Sequence, residues 1–262
     1  MVGWKTEIPG DELKAFLDEK VTRYNHPSFI ESDPVLVPHL FTERHDIEIA
    51  AFLTAAISWG RKATIIANAR KLLSLMQASP HEFVIGAGGK ELERFLPFVH
   101  RTFNGFDCIF FLGALGRLYR EHGGLGQVFQ DGFVKTGDMG QAIARFRSLF
   151  FQHGEPGRTA RHIPDVTRNS AAKRINMFLR WMVRRDNSGV DFGLWDRIPM
   201  SRLMVPLDVH TGSVARKLGL LSRKQDDWKA VVELTERLRQ FDPDDPVRYD
   251  YALFGLGSFE QL

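Results

Sequence analysis

Cysteine is almost missing from the sequence: Cys108 is the only one in 262 residues. One thiol cannot close an internal disulfide. Nor can it supply a four-cysteine iron–sulfur cluster or a cysteine-based zinc site. Cys108 lies in the apolar run FDCIFFLGAL, the setting of a small buried side chain. No uncharged apolar stretch approaches the length that spans a bilayer, so no membrane partner is expected. The N-terminus, MVGWKTEIPGDELKAF, has no apolar core of the kind a signal peptide carries. A cytoplasmic location is the plainest reading. Low-complexity tracts and repeats are also missing, and strand signals are scarce.

What is present is helical periodicity and ample apolar content. Hydrophobic residues make up 44% and charged residues 26%, the composition of a globular chain. Apolar residues at helical spacing mark helices over 11–24, 46–58, 61–77 and 106–122, and shorter ones between 80 and 152. Further helices are expected at 170–185, with Ser170 as its cap, and at 209–218, 225–241 and 247–257. The fold class is therefore all-α. Two helical lobes are expected, a central one over 47–200 and a second built from 1–46 plus 201–262. The helix at 170–185 has Ile175, Phe178, Leu179 and Met182 on one face. Lys173, Asn176, Arg180 and Arg184 lie on a neighbouring polar face.

Charge is unevenly placed. Residues 156–185 hold eight Lys/Arg and one acid, Asp165, while the whole chain is only +3. Such a basic stretch is either a solvated helix face with its loop or a surface for a polyanion.

The segment VPLDVHTGSVARKLGLL, residues 205–221, brings an apolar–proline approach to Asp208 at a helix start. By itself Asp208 is an N-cap. A carboxylate that accepts amide hydrogen bonds at a helix N-terminus is also fixed and held ionised. Such a group can stabilise a developing positive charge.

On Pro206, Asp208, His210, Arg216, Leu218, Gly219 and Leu220 this segment resembles the helix-hairpin-helix Gly/Pro/Asp DNA glycosylases. The helix pair 46–77 and the last helix, ALFGLG, resemble the opening pair and terminal helix of the same proteins. The resemblance makes Asp208 the catalytic aspartate and implies a DNA-binding cleft between the two lobes. The Gly-rich hairpin that carries the superfamily's lysine has no counterpart before Asp208. The segment SAAKRINMFLRWM instead resembles the archaeal 8-oxoguanine glycosylase branch, which places the nucleophile at Lys173. More broadly the chain looks like a bacterial branch of the superfamily without an assigned reaction. A lysine near a helix start, beside Arg174, is in a setting that disfavours its cation and so favours the neutral amine that attack needs.

The resemblance implies a base-excision glycosylase with AP-lyase activity that removes a damaged base, such as an oxidised purine, through a lysine Schiff base. Its partner would be double-stranded DNA with a damaged base or abasic site. The protein would be a monomer of the bacterial cytoplasm, at the nucleoid, and needs no metal or cofactor. Ser58, Trp59 and Arg61, at the turn of the opening pair, would line the base pocket, with His210 near the substrate. Arg158, Arg161, Arg168, Arg174, Arg180, Arg184, Thr211 and Ser213 would contact the DNA backbone. One rival reading is a non-catalytic nucleic-acid binder of the same fold. A remoter one, prompted by the dipeptide His45-Asp46, is a metal-dependent HD phosphohydrolase.

Overall fold

A computed structural model of the chain describes residues 10–260 and 262. The part of the N-terminal segment that was read for a signal peptide, residues 1–9, lies outside the described residues. The helices, in order, are α1 (Gly10–Tyr24), α2 (Ser28–Ser32), α3 (Arg44–Ala56), α4 (Lys62–Ser74), α5 (Pro80–Gly86), α6 (Gly89–Glu93) and α7 (Gly105–His122). They continue with α8 (Leu125–Thr136), α9 (Met139–Phe150), α10 (Lys173–Val183), α11 (Val209–Lys217), α12 (Trp228–Arg239) and α13 (Tyr249–Ser258). The all-α expectation holds at this level. The exception is a short hairpin of β1 (Val99–His100) and β2 (Phe103–Asn104), paired antiparallel. Its tip turns on Arg101, at φ 55°. The aperiodic stretch VHRTFN gave no strand signal of its own. No helix among the described residues is long and apolar enough to cross a membrane.

Short polar side chains start four of the longer helices. Asn104, Asp138, Asp208 and Asp227 each accept a backbone N–H of the first turn of α7, α9, α11 and α12. Each such cap is worth roughly 1 kcal/mol. Gly123 and Gly137, at positive φ, end α7 and α8.

The chain forms two compact units. The first gathers Met1–Phe29, Arg168–Gly193 and Pro199–Leu262. In it α13 packs on both α1 and α11. A Cβ on Gly255 would come within 2.1 Å of the Tyr24 ring, which shows how closely α1 and α13 approach. The second unit is Ile30–Thr167 with Leu194–Ile198. Its core is aromatic: Phe52, Phe111, Phe129, Phe146 and Phe150 are all fully buried. Each buried ring contributes roughly 1.5–3 kcal/mol through removal from water. This division differs from the sequence expectation on two segments. Residues 30–46 join the central unit, and α10 joins the chain ends. α10 does so because Arg180 and Arg184 on its polar face pair with Asp191, Asp245 and Asp250.

Candidate functional site

The site is built on α10 and α11, both in the first unit. Ser170 does not cap α10. It forms an isolated bridge with Asp227, and the helix begins at Lys173 after Ala172, which is held at φ 49°. The left-handed residue turns the chain sharply and leaves Lys173 as the first helical residue. Its Nζ lies 3.6 Å from Met177 Sδ.

Asp208 is delivered by an anchored strand of chain. Leu203, Val205 and Leu207 are buried, and the Val205 N–H donates to Thr235 Oγ1 at 3.1 Å. The two carboxylate oxygens of Asp208 then take different roles. Oδ1 accepts the backbone N–H groups of His210 and Thr211, both at 3.0 Å. Oδ2 lies 3.8 Å from Lys173 Nζ. The two side chains are 29% and 31% exposed, so each is anchored by protein and still open to a ligand. The structure thus brings together an amine and a carboxylate that stand 35 positions apart in the chain.

A buried charge network underlies the pair. Arg180, on α10, donates from Nε to Asp191 Oδ1 at 3.3 Å and from Nη1 to Asp250 of α13. Arg184 donates from Nη1 to Asp191 Oδ2 at 3.0 Å and from Nε to Asp245 Oδ2 at 2.9 Å, and lies 2.7 Å from Asp186 Oδ2. The Tyr251 hydroxyl donates to Asp191 Oδ2 at 2.9 Å. Burial pushes the Asp250 carboxyl up to about 6. The Arg180 and Lys173 charges pull it down, and Asp208 and Asp191 push it further up. Asp250 therefore senses both members of the exposed pair.

Two expected backbone-contacting arginines are corrected here. Arg180 and Arg184 are 4% and 2% exposed, and their guanidiniums are committed to Asp191, Asp245 and Asp250. The basic density of 156–185 is in this part a set of internal ion pairs. Arg174 is half-buried, and burial pushes its guanidinium down to about 10, still charged at neutral pH. Arg158, Arg161 and Arg168 are exposed. Thr211 is buried and serves the Asp208 cap through its backbone, whereas Ser213 is exposed. The His210 ring is largely exposed, with Nδ1 4.0 Å from Asp208 Oδ1.

Ser58, Trp59 and Arg61 belong to the second unit. Ser58 is buried and its hydroxyl donates to Thr54 O at 2.7 Å. The half-buried Trp59 ring meets His100 edge-on and stacks on His162, at 5.1 and 5.9 Å between centroids. Arg61 is exposed just before α4. The His45-Asp46 dipeptide has other work: Asp46 Oδ1 accepts the His81 N–H at 2.7 Å. Among the described residues no group of three or more His, Cys, Asp or Glu is placed to hold a metal ion.

A family model described as a protein of unknown function, DUF2400, matches residues 33–259. The chain belongs to the DUF2400 family. Neither the curated proteins nor the solved structures give a match. The stretch that defines this DUF2400 member contains Lys173, Asp208 and the whole Arg180–Asp250 network. Sequence reasoning missed Asp191 and Asp250. A signal existed for Asp250: it is an acid between two tyrosines in the otherwise apolar segment YDYALFGLG. An acid that the period places inside needs a cationic partner.

Proposed function

We propose that this DUF2400 protein is a DNA base-excision glycosylase with AP-lyase activity, of the helix-hairpin-helix Gly/Pro/Asp type. One observation carries the reading: the Lys173 amine lies 3.8 Å from a carboxylate oxygen of Asp208 whose other oxygen is tied to two helix amides. A carboxylate fixed in this way cannot swing aside, so it stays beside any cation that develops next to the amine.

In the proposed reaction the target nucleotide leaves the stack, at a cost of a few kcal/mol. The bond between C1′ and the base breaks, and the base leaves with the electron pair and gains a proton from solvent. Asp208 Oδ2 stabilises the oxocarbenium-like sugar. Lys173 Nζ, having given up its proton to Asp208 or water, forms the new C–N bond at C1′. Ring opening gives a protonated Schiff base. Loss of a C2′ proton then expels the 3′ phosphate and cuts the strand, and water releases the lysine. The partial exposure of both groups supports this reading, since a nucleoside must touch both.

The test is borohydride trapping on a duplex with one abasic site. The wild type should give a covalent adduct, and Lys173→Gln should give none while keeping its fold. Absence of an adduct from folded wild type that still binds DNA would instead favour a binder without chemistry. A panel of lesion-bearing duplexes, scored for base release with and without nicking, then identifies the base.

A further inference from the structure

The Lys173 amine has a second neighbour besides Asp208. Met177 stands one helical turn further along α10, so the two side chains share a face of the helix. A long helical side chain leans toward the N-terminus and covers the turn before it. Met177 Sδ accordingly lies 3.6 Å from Lys173 Nζ, and the amine also faces Asp208 Oδ2 at 3.8 Å. Both neighbours are held. Asp208 Oδ1 is tied to two amides of α11, and Met177 is 8% exposed.

The chemistry of sulfur gives this contact two states. A thioether is a weak acceptor. It covers the amine without holding its proton, which leaves the electron pair of Lys173 available for attack. A sulfoxide is polar and chiral, and its oxygen accepts strongly. At the observed spacing the oxygen of one of the two epimers falls within hydrogen-bonding reach of Nζ. A bond from an ammonium group to that oxygen is charge-assisted. It would keep the amine protonated and withdraw it from nucleophilic work.

We propose that Met177 is an oxidation site that regulates Lys173. Hydrogen peroxide transfers one oxygen atom to Sδ: the O–O bond breaks, an S–O bond forms, the sulfur loses two electrons, and the second oxygen leaves as water. A thiol-dependent sulfoxide reductase reverses the step, with two thiols supplying the electrons and the oxygen leaving as water. Met76, Met139 and Met182 are more deeply buried than Met177. The sulfur of Met200 accepts the Arg185 N–H at 3.0 Å, a backbone group with no reaction to regulate. The regulatory meaning rests on the reaction proposed for Lys173. The response of the amine does not, so the test is made without DNA.

The full chain is treated with hydrogen peroxide and then labelled with formaldehyde and cyanoborohydride, which methylate amines according to their nucleophilicity. Mass spectrometry follows, after a cleavage that keeps residues 173–177 on one peptide. Met177 should gain one oxygen in the folded protein. Lys173 on the oxidised peptides should label about tenfold or more slowly than on the unoxidised ones, the effect of a hydrogen bond to a charged group. Labelling of the exposed Lys229 should not change. Unfolding would speed labelling of Lys173, so the sign of the change separates regulation from damage. Met177→Leu, a volume-conserving exchange, should make Lys173 labelling insensitive to peroxide, whereas Met200→Leu should respond as the wild type does. Methionine sulfoxide reductase should restore the original rate. An unmodified Met177 after full conversion of Met200 would overturn the inference. So would equal labelling of Lys173 on oxidised and unoxidised peptides. The expected labelling pattern in a protein that gives no abasic-site adduct in either state would uphold the Met177 contact and count against the proposed reaction alone.

Discussion

Arg180 hydrogen-bonds Asp250, joining α10 to α13 two helical turns beyond Lys173. The bond ties the helix that presents the amine to a helix that packs on α11, which presents the carboxylate. The separation of Lys173 and Asp208 is therefore set by buried ion pairs and not by the exposed pair itself. An exposed ion pair contributes ~1 kcal/mol or less. A buried one that loses a partner leaves a charge in low dielectric, which costs several times more.

Asp250 should make stability depend on pH in an unusual direction. Its carboxyl is raised to about 6, chiefly by burial. The folded protein therefore binds this proton more readily than the unfolded chain between about pH 4 and 6. The contribution of this group to stability rises as pH falls through 6 and is lost as pH rises through 6. At about 1.4 kcal/mol per pH unit the effect is at most ~3 kcal/mol. Asp186 acts in the opposite sense. Burial works against its charge, but bonds from Ser188 and Asn25 and the Arg184 cation outweigh this and hold it at about 2. Its share is lost as pH falls below about 4. In denaturant melts from pH 7 to 5, Asp250→Asn should show a flatter profile than the wild type. A profile parallel to the wild type's would refute the assignment.

Asp208 should separate into a structural and a chemical role. Asn caps helices about as well as Asp, whereas Ala costs roughly 1 kcal/mol. Asp208→Asn should therefore melt within a few tenths of a kcal/mol of the wild type, and Asp208→Ala about 1 kcal/mol lower. Single-turnover base release should fall in both by about 100-fold or more, because each removes the charge beside Lys173. Full activity in Asp208→Asn would leave the carboxylate as a cap and nothing else.

Arg184 should be among the most sensitive positions for folding. It is 2% exposed and faces Asp186, Asp191 and Asp245. Arg184→Met keeps most of its volume but removes the cation from Asp186 and Asp191 and leaves buried Asp245 without its side-chain partner, at a cost of about 3–5 kcal/mol. Burial already raises the Asp245 carboxyl in the presence of Arg184. Acid should therefore restore part of the loss, and the gap between variant and wild type should narrow from pH 7 to 5. Thermal melts at the two pH values measure it.

Much of the helical layout was legible because period and caps agree. Asp208, Asp227 and Gly123 end or begin helices for local reasons. The start of α10 is not legible: a serine before a periodic run reads as a cap, and nothing local reveals the left-handed Ala172. The Lys173–Asp208 juxtaposition came from resemblance, since no periodicity connects residues 35 apart. From sequence Arg180 and Arg184 read as surface, because a polar helix face normally meets water. The carboxylates that cover it come from Asp191, Asp245 and Asp250, whose approach is tertiary.

Glu48 should matter to the second unit for the same kind of reason. It sits on α3 at 2% exposure, inside a run of apolar residues. Its Oε1 accepts the Trp195 indole N–H at 2.8 Å and Arg44 Nε at 3.1 Å, and its Oε2 accepts the Tyr119 hydroxyl at 2.9 Å. Trp195 is itself fully buried and lies in Leu194–Ile198, the short return of the chain to this unit. Glu48 is thus the anchor that draws that segment in. Glu48→Ala would orphan two buried donors at about 1–3 kcal/mol each and open a cavity besides. Glu48→Gln keeps the volume and an acceptor for one of them, so it should lose less than half as much. Amide exchange should accelerate at 194–198 in Glu48→Ala while α10 keeps its protection. Equal acceleration in α10 would show that the anchor is not confined to the second unit.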